Sequence, residues 1–186
     1  GSEMCIRDSV YITNSKIQVL MGSCVKNKLQ VVNCYEEPLE EGCILNGIIM
    51  NNYSLQNTLT EMWQKYNLPA KGVTLVVNGS SITVKPLKVP QIAPKNVPGF
   101  IRGELRDIEG IQNMLVDYSV VTPKNPDGSC SILAVASTRE FITSYISLFK
   151  EAKIELEVID LVQNCLIKMM LSLIHISEPT RHSLIS

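Results

Sequence analysis

The order of apolar and polar positions predicts strands alternating with helices. Between Ser131 and Leu161 a short apolar run leads into residues whose apolar side chains recur every three or four positions, and then into an alternating segment. Thr138 follows the apolar run, and its hydroxyl can accept a backbone N–H of a first helical turn. The stretch therefore predicts a strand, a crossover helix and a second strand, with a further helix beginning at Asp160. This pattern is typical of an α/β or α+β domain and by itself indicates no chemistry.

The first half of the chain predicts a meander, a helix and a buried strand. Alternating segments predict strands over 10–13, 16–25 and 29–35, separated by short polar turns. Asn51 or Asn52 can cap a helix over about 53–66, whose stripe of Met, Leu and aromatic residues is more typical of a core face than of a binding box. The apolar run 73–77 predicts a central strand.

Prolines then change the pattern of the chain. Pro86, Pro90, Pro94 and Pro98 interrupt a stretch that cannot be continuous sheet or helix, and they indicate a crossing into a second lobe. Within that lobe we expect a short helix over 99–107, a strand over 115–122 and a hairpin loop over 123–128. The predicted division is a core lobe of residues 10–88 and 159–170 and an inserted lobe of residues 89–158.

Both ends of the chain are predicted to be foreign to the protein. A codon choice for the first nine residues, GSEMCIRDS, has a reverse complement that translates to residues 171–178 and the start of Pro179. Such complementarity has no physical cause in a protein, and it resembles a translated sequencing adapter. We therefore expect residues 1–9 and 171–186 to be non-native and residues 10–170 to be a fragment of a longer chain. The alternative is a genuine amphipathic tail at 171–176.

Charge and residue types exclude several functions. Without the two ends, the 17 basic and 18 acidic residues become 15 of each. The natural part therefore has no excess of positive charge that would favour binding to nucleic acid. His175 and His182, the two histidines, both lie in the foreign tail. The natural part therefore lacks a histidine for a catalytic triad, a metal site or a pH switch. The cysteines have no CxxC spacing and are predicted to be reduced, as in a cytoplasmic protein. No apolar run approaches the roughly twenty residues of a membrane span.

Four segments carry a resemblance to a known family. They are VYITNSKIQVL (10–20), CYEEPLEEGCILNGII (34–49), VTLVVNGSSITVKPLKVP (73–90) and SILAVASTREFITSYISLFKEAKIELEVID (131–160). In this order they resemble the PilM family of type IV pilus assembly proteins, which are related to the cell-division protein FtsA. The resemblance implies the N-terminal half of an actin-like ATPase fold, with a mixed-sheet core lobe and an inserted small α+β lobe.

The resemblance also implies a first phosphate loop, from which this sequence departs. Nucleotide binders of the family have an aspartate, an apolar residue, a glycine and small hydroxylated residues, whereas residues 11–15 here are Tyr-Ile-Thr-Asn-Ser. The acid and the glycine are missing. Asn14, Ser15 and Lys16 remain candidates for phosphate contact, and an ordinary hairpin turn is the alternative. We expect no cofactor in this fragment, although the full-length protein could hold ATP, because the second phosphate loop and the adenosine pocket would follow Met170.

The family further implies partners and a location. We expect a cytoplasmic scaffold, peripheral to the inner membrane, whose groove between the lobes takes the N-terminal peptide of a PilN-like, membrane-anchored pilus protein and couples it to the cytoplasmic motor complex. No nucleic acid partner and no catalytic or metal-binding residue are expected. Alternatives are a fragment of an actin-like ATPase or kinase that does bind ATP, and an unrelated α+β domain.

The acidic residues between 36 and 41 suggest either a cation site or, more simply, a solvated loop.

Overall fold

The structure, a computed structural model, describes residues 5–25 and 28–161. These residues divide into two compact units: a core unit containing residues up to 80 and residues 143–160, and an inserted unit containing residues 81–142. In chain order the elements are β1 (Cys5–Ile12), β2 (Lys16–Val25), β3 (Lys28–Pro38), β4 (Ile44–Leu45), β5 (Ile48–Ile49), α1 (Asn52–Lys65), β6 (Val73–Val77), β7 (Ile82–Val89), α2 (Val97–Glu104), β8 (Leu115–Thr122), β9 (Cys130–Ser137), α3 (Arg139–Glu151) and β10 (Leu156–Leu161).

The core unit is built on a five-stranded mixed sheet. Its strand order is β10-β6-β1-β2-β3, in which β1, β2 and β3 are antiparallel neighbours and β6 runs parallel to β1. Alternate residues of β1 and β6 are buried, Val10 and Ile12 in the first and Val73, Leu75 and Val77 in the second. One face of these strands therefore belongs to the core. The predicted meander, helix and central strand are confirmed.

Both helices of the core unit have the predicted caps and apolar faces. The Asn51 side chain accepts the backbone N–H of Ser54 at 3.0 Å, and this bond satisfies a donor of the first turn of α1. Thr138 serves α3 in the same way, since its hydroxyl accepts the N–H of Phe141 at 3.4 Å. The apolar faces of α1 and α3 meet where Trp63 lies edge-on to Phe149, with ring centroids 6.4 Å apart.

The inserted unit is a three-stranded antiparallel sheet with its own core. The strand order is β7-β9-β8. Ile101 and Leu105, on and just after α2, are buried with apolar residues of β8 and β9. The helix α2 occupies 97–104 rather than the predicted 99–107, because Pro98 stands in its first turn, where the missing N–H is not needed. Treating this proline only as a breaker placed the start of the helix too late.

The boundaries between the units differ from the predicted ones. Strand β7 pairs along its whole length with β9, so residues 82–88 belong to the inserted unit and not to the core. Conversely, most of α3 and β10 belong to the core unit. Asp160 was expected to cap a helix, yet it is a buried residue of β10, which continues to Leu161. Any helix after this strand lies outside the described residues.

One buried charge stands out in the core face of β1. The strand begins at Cys5, earlier than the predicted residue 10, and it includes Asp8, which is 4% exposed. The Asp8 Oδ1 atom is buried without a hydrogen-bond partner among the described residues, and burial raises the pKa of this carboxyl above its ordinary 3.8. An unpaired buried carboxylate destabilises a fold, because its hydration is lost without replacement. The foreign origin of residues 1–9 stays a prediction.

Replacing this carboxylate should stabilise the protein in a pH-dependent way. A raised pKa means that the folded state binds the proton more tightly, so the wild type loses stability as pH rises from 3.8 through the folded-state pKa. At pH 7 we expect Asp8→Val to increase the free energy of unfolding by about 1–3 kcal/mol, and this gain should shrink below pH 3.8. Denaturant unfolding over a pH series measures the gain in the free energy of unfolding and its change with pH. The control is Ser9→Val on the same strand. A gain that does not change with pH would contradict this account of Asp8.

Candidate functional site

The predicted phosphate loop is a tight turn between β1 and β2 that is closed by its own hydrogen bonds. The Thr13 hydroxyl accepts the backbone N–H groups of Ser15 at 3.3 Å and of Lys16 at 3.1 Å. The Thr13 N–H in turn donates to the Lys16 carbonyl oxygen at 2.9 Å. A side chain that closes its own turn in this way is ordinary hairpin chemistry. Thr13, which stands where the resemblance implies a glycine, therefore accepts the backbone N–H groups of Ser15 and Lys16.

The three candidate residues lie together in this turn, and each has a protein partner. The Asn14 side-chain oxygen accepts the N–H of Gly47 at 3.4 Å. The Ser15 carbonyl accepts the N–H of Leu39 at 2.8 Å. The Lys16 ammonium pairs with the Glu36 carboxylate at 3.2 Å, and both side chains are partly exposed. The arrangement holds the turn against β3 and the residues that follow it, and the phosphate contact of Asn14, Ser15 and Lys16 stays a prediction.

Next to this turn lies a small hairpin that the sequence analysis missed. Strands β4 and β5 pair as Ile44 with Ile49 and Leu45 with Ile48. The central residues Asn46 and Gly47 have φ values of +50° and +83°. An Asn-Gly pair with positive φ at both positions is the preferred two-residue connection of a hairpin, so the signal was present in the sequence. It was overlooked because each flanking strand has two residues, which is too short for a visible alternation.

Gly47 anchors this hairpin to the core unit. Its carbonyl oxygen accepts a hydrogen bond from the phenol of Tyr145 on α3, and its N–H donates to Asn14. Burial raises the pKa of Tyr145, so the phenol remains a hydrogen-bond donor to a higher pH than an exposed tyrosine does. A side chain at position 47 has no space, because a Cβ atom there would overlap the Asn78 carbonyl oxygen and lie 2.8 Å from the Gly79 Cα. The hairpin is thus fixed on its inner side by backbone contacts.

The acidic residues at positions 36 and 37 have separate side-chain partners. Glu36 accepts hydrogen bonds from Gln18 and Lys16, which lower its pKa, and Glu37 has its pKa lowered by Lys65 at 2.7 Å and then by the Tyr66 hydroxyl. The two carboxylates therefore have different partners, on β2 for Glu36 and at the end of α1 for Glu37. Within residues 5–25 and 28–161 no group of three or more His, Cys, Asp or Glu side chains is placed to hold a metal ion.

Two surface pockets lie elsewhere in the described residues. One, of about 390 Å³, lies in the core unit at the start of β10 and is lined by residues that include Lys71, Lys150, Lys153 and Ile154. The other, of about 310 Å³, lies in the inserted unit beside Tyr118. Neither contains the turn at residues 13–16.

Among the helices of the described ranges, none has the length and apolarity of a membrane span.

Comparison with known proteins identifies the family. A family model described as Type IV pilus assembly protein PilM matches residues 9–178 of the chain. The chain belongs to the PilM family. The expected family resemblance is therefore confirmed. A search of curated proteins finds no significant match.

Solved structures agree in fold. A chain of a PilM-PilN type IV pilus biogenesis complex is similar with a TM-score of 0.74 and 16% identity, over 87% of this chain and 50% of that one. The cytoplasmic domain of EpsL, an inner membrane component of the type II secretion system of Vibrio cholerae, is similar with a TM-score of 0.53 and 11% identity, over 86% of this chain and 58% of that one. A Bacteroides thetaiotaomicron protein with an actin-like ATPase fold follows at a TM-score of 0.47.

The first two of these matches confirm the predicted mixed α/β fold class. The chain spans about half the length of the chain that it matches in the PilM-PilN complex.

Substituting Gly47 should lower the free energy of unfolding by more than backbone strain alone accounts for. Gly42 and Gly47 both have positive φ, at +77° and +83°, but a Cβ at Gly42 meets no atom within 4 Å. We expect Gly42→Ala to lower the free energy of unfolding by about 1–2 kcal/mol through strain, and Gly47→Ala to lower it by about 3 kcal/mol or more because backbone atoms must also move. Chemical denaturation of both variants provides the comparison. Equal losses would mean that the close approach at Gly47 is not rigid.

Proposed function

We propose that this protein is a scaffold of type IV pilus assembly that binds the N-terminal peptide of a PilN-like, membrane-anchored partner. The observation that carries the proposal is the family match over residues 9–178. The fold similarity to a chain of a PilM-PilN type IV pilus biogenesis complex supports the choice of partner. Such a partner has a short cytoplasmic segment, and this segment is the part that a peripheral protein can reach.

The scaffold acts at the cytoplasmic side of the inner membrane and couples its partner to the pilus motor complex. Its contribution is recognition of a peptide and not chemistry on a nucleotide. Peptide recognition requires exposed strand edges and apolar surface. Strand β3 supplies a sheet edge, on which Val31 and Val32 are 61% and 60% exposed.

The turn at residues 13–16 supports a scaffold and not an ATPase. Phosphate binding by this kind of loop needs backbone N–H groups that point at the ligand and an acid that holds the metal-bound water. Here the N–H groups of Ser15 and Lys16 are bonded to the Thr13 hydroxyl, and position 11 is a tyrosine.

Peptide binding tests the proposal directly. A fluorescently labelled synthetic peptide with the N-terminal sequence of the neighbouring PilN-like protein is titrated with the full-length protein, and its anisotropy is measured. We expect saturable binding that unlabelled peptide competes away, and no binding of a scrambled peptide. Equal binding of the two peptides, or no binding of either, would contradict the proposed function.

ATP hydrolysis is tested by a separate measurement. We expect phosphate release from ATP by the full-length protein to stay at the buffer background, because the first loop lacks its acid and its glycine. The variant Lys16→Met should give the same background rate, since the Lys16 ammonium is paired with Glu36. Turnover above background in the wild type that Lys16→Met abolishes would show that the loop works on phosphate after all.

A further inference from the structure

The larger of the two pockets, in the core unit at the start of β10, combines lysines with an apolar lining. Its volume of about 390 Å³ lies within the roughly 300–1,000 Å³ of small-ligand sites. We call this cavity the basic pocket. Its lining includes three lysines and three large apolar residues, namely Lys71, Lys150, Lys153, Ile146, Ile154 and Leu156.

Backbone hydrogen bonds join the two segments that form the basic pocket. The Glu155 N–H donates to the Ala70 carbonyl at 2.7 Å, and the Val73 N–H donates to the Glu155 carbonyl at 3.4 Å. These bonds tie the segment after α1 to the start of β10. A ligand therefore meets segments that are already ordered, which lowers the entropy lost on binding.

The basic pocket is separate from the turn at residues 13–16. The pocket adjoins the start of β6, where Val73 is bonded to Glu155. The turn lies beside the other end of this strand, since Tyr11 pairs with Val76. A ligand in the basic pocket therefore does not depend on the departures from the implied phosphate loop.

Lys153 has a backbone conformation that is normally left to glycine. Its φ is +60°, in the left-handed region. Its N–H donates to the Lys150 carbonyl at 3.1 Å, and the Ile154 N–H donates to the Phe149 carbonyl at 2.9 Å. These two bonds form the motif that ends a helix with a left-handed residue, most often glycine. A lysine at this position strains the backbone, and strained residues of this kind cluster at ligand sites.

Positive charge in the basic pocket is only partly compensated. The three lysines are exposed, and none of them forms a salt bridge within the ranges that the structure describes. The dipole of α3 favours Lys150 and Lys153, which lie at its C-terminal end, but Lys71 comes from the segment between α1 and β6. Glu155 also lines the pocket. Three lysines against one glutamate leave an excess of two positive charges, which favours an anionic ligand.

We propose that the basic pocket binds a small anion with an apolar body, such as a carboxylate or a phosphate on an alkyl or aromatic group. The apolar body contacts Ile146, Ile154 and Leu156, and the anionic group lies among the lysine ammonium groups. An ammonium is a compact point charge that accepts either kind of anion. The inference gives the protein a ligand site in addition to its scaffold role, and it does not rest on the partner peptide.

The first test separates the two halves of this chemistry with three probes. Isothermal titration calorimetry on the full-length protein compares decanoate, decyltrimethylammonium, which has the same chain with the opposite charge, and acetate, which has the anionic group without the chain. We expect saturable 1:1 binding of decanoate that added salt weakens. The other two probes should give no saturable heat over the same concentrations.

The second test changes the charge of the basic pocket in both directions. Lys71→Gln with Lys150→Gln should weaken decanoate binding about three- to tenfold. Glu155→Gln should strengthen it about twofold or more, because it removes the carboxylate that opposes the ligand. The matched control is Lys85→Gln with Lys95→Gln, which removes two exposed lysines of the inserted unit that do not line the pocket. This control should leave the affinity within about twofold.

The third test separates a ligand role of Lys153 from a structural one. Because glycine is the preferred residue at the left-handed end of a helix, Lys153→Gly should not lower the Tm in a thermal melt. The same variant should bind decanoate about two- to fivefold more weakly. A variant that melts at or above the wild-type temperature and keeps the full affinity would show that the Lys153 side chain has no part in binding.

Three results would overturn the inference as a whole. The first is the absence of saturable decanoate binding, and the second is equal binding of decyltrimethylammonium, which would indicate an apolar surface without charge selection. The third is an unchanged affinity in both charge variants of the pocket. Retention of the protein on phosphatidylglycerol vesicles without decanoate binding would replace the small ligand by an anionic membrane surface. The titration with the partner peptide is independent, so the proposed function stands if the inference fails.

Discussion

The parallel pairing of β1 with β6 is the constraint on which the candidate surfaces depend. In this register Tyr11 lies beside Val76, so the turn after β1 and the end of β6 reach the same edge of the sheet. Gly47 then contacts both, through its N–H to Asn14 and through its close approach to Asn78. A hairpin that would be too short to persist alone is stabilised by being packed at this edge.

The same packing gives the polar groups of the first turn partners within the protein. Here the Thr13 hydroxyl closes the turn from within, and Asn14 uses its side-chain oxygen to hold the neighbouring hairpin. Polar groups that would otherwise point at a ligand stabilise the local fold instead.

Local patterns in the sequence predicted the long elements and their caps well, while pairing between distant residues escaped them. Asn51 and Thr138 were identifiable as caps because a cap depends on a few adjacent residues. Strand β7 was assigned to the wrong side of the boundary, since its partner β9 lies far along the chain and periodicity carries no information about pairing. The continuation of β10 through Asp160 was missed because an aspartate after an apolar run resembles a helix cap. The residues around the β4–β5 hairpin, finally, are apolar like a core segment, and only the structure distinguishes an exposed Met50 from a buried Met62.

Site-specific photo-crosslinking in cells would test the central claim most directly. A photoreactive amino acid replaces exposed residues of the full-length protein, one position in each strain. The account predicts that irradiation joins the PilN-like membrane protein to at least one of these positions. No crosslink to that protein from any exposed position of the chain would contradict the scaffold function.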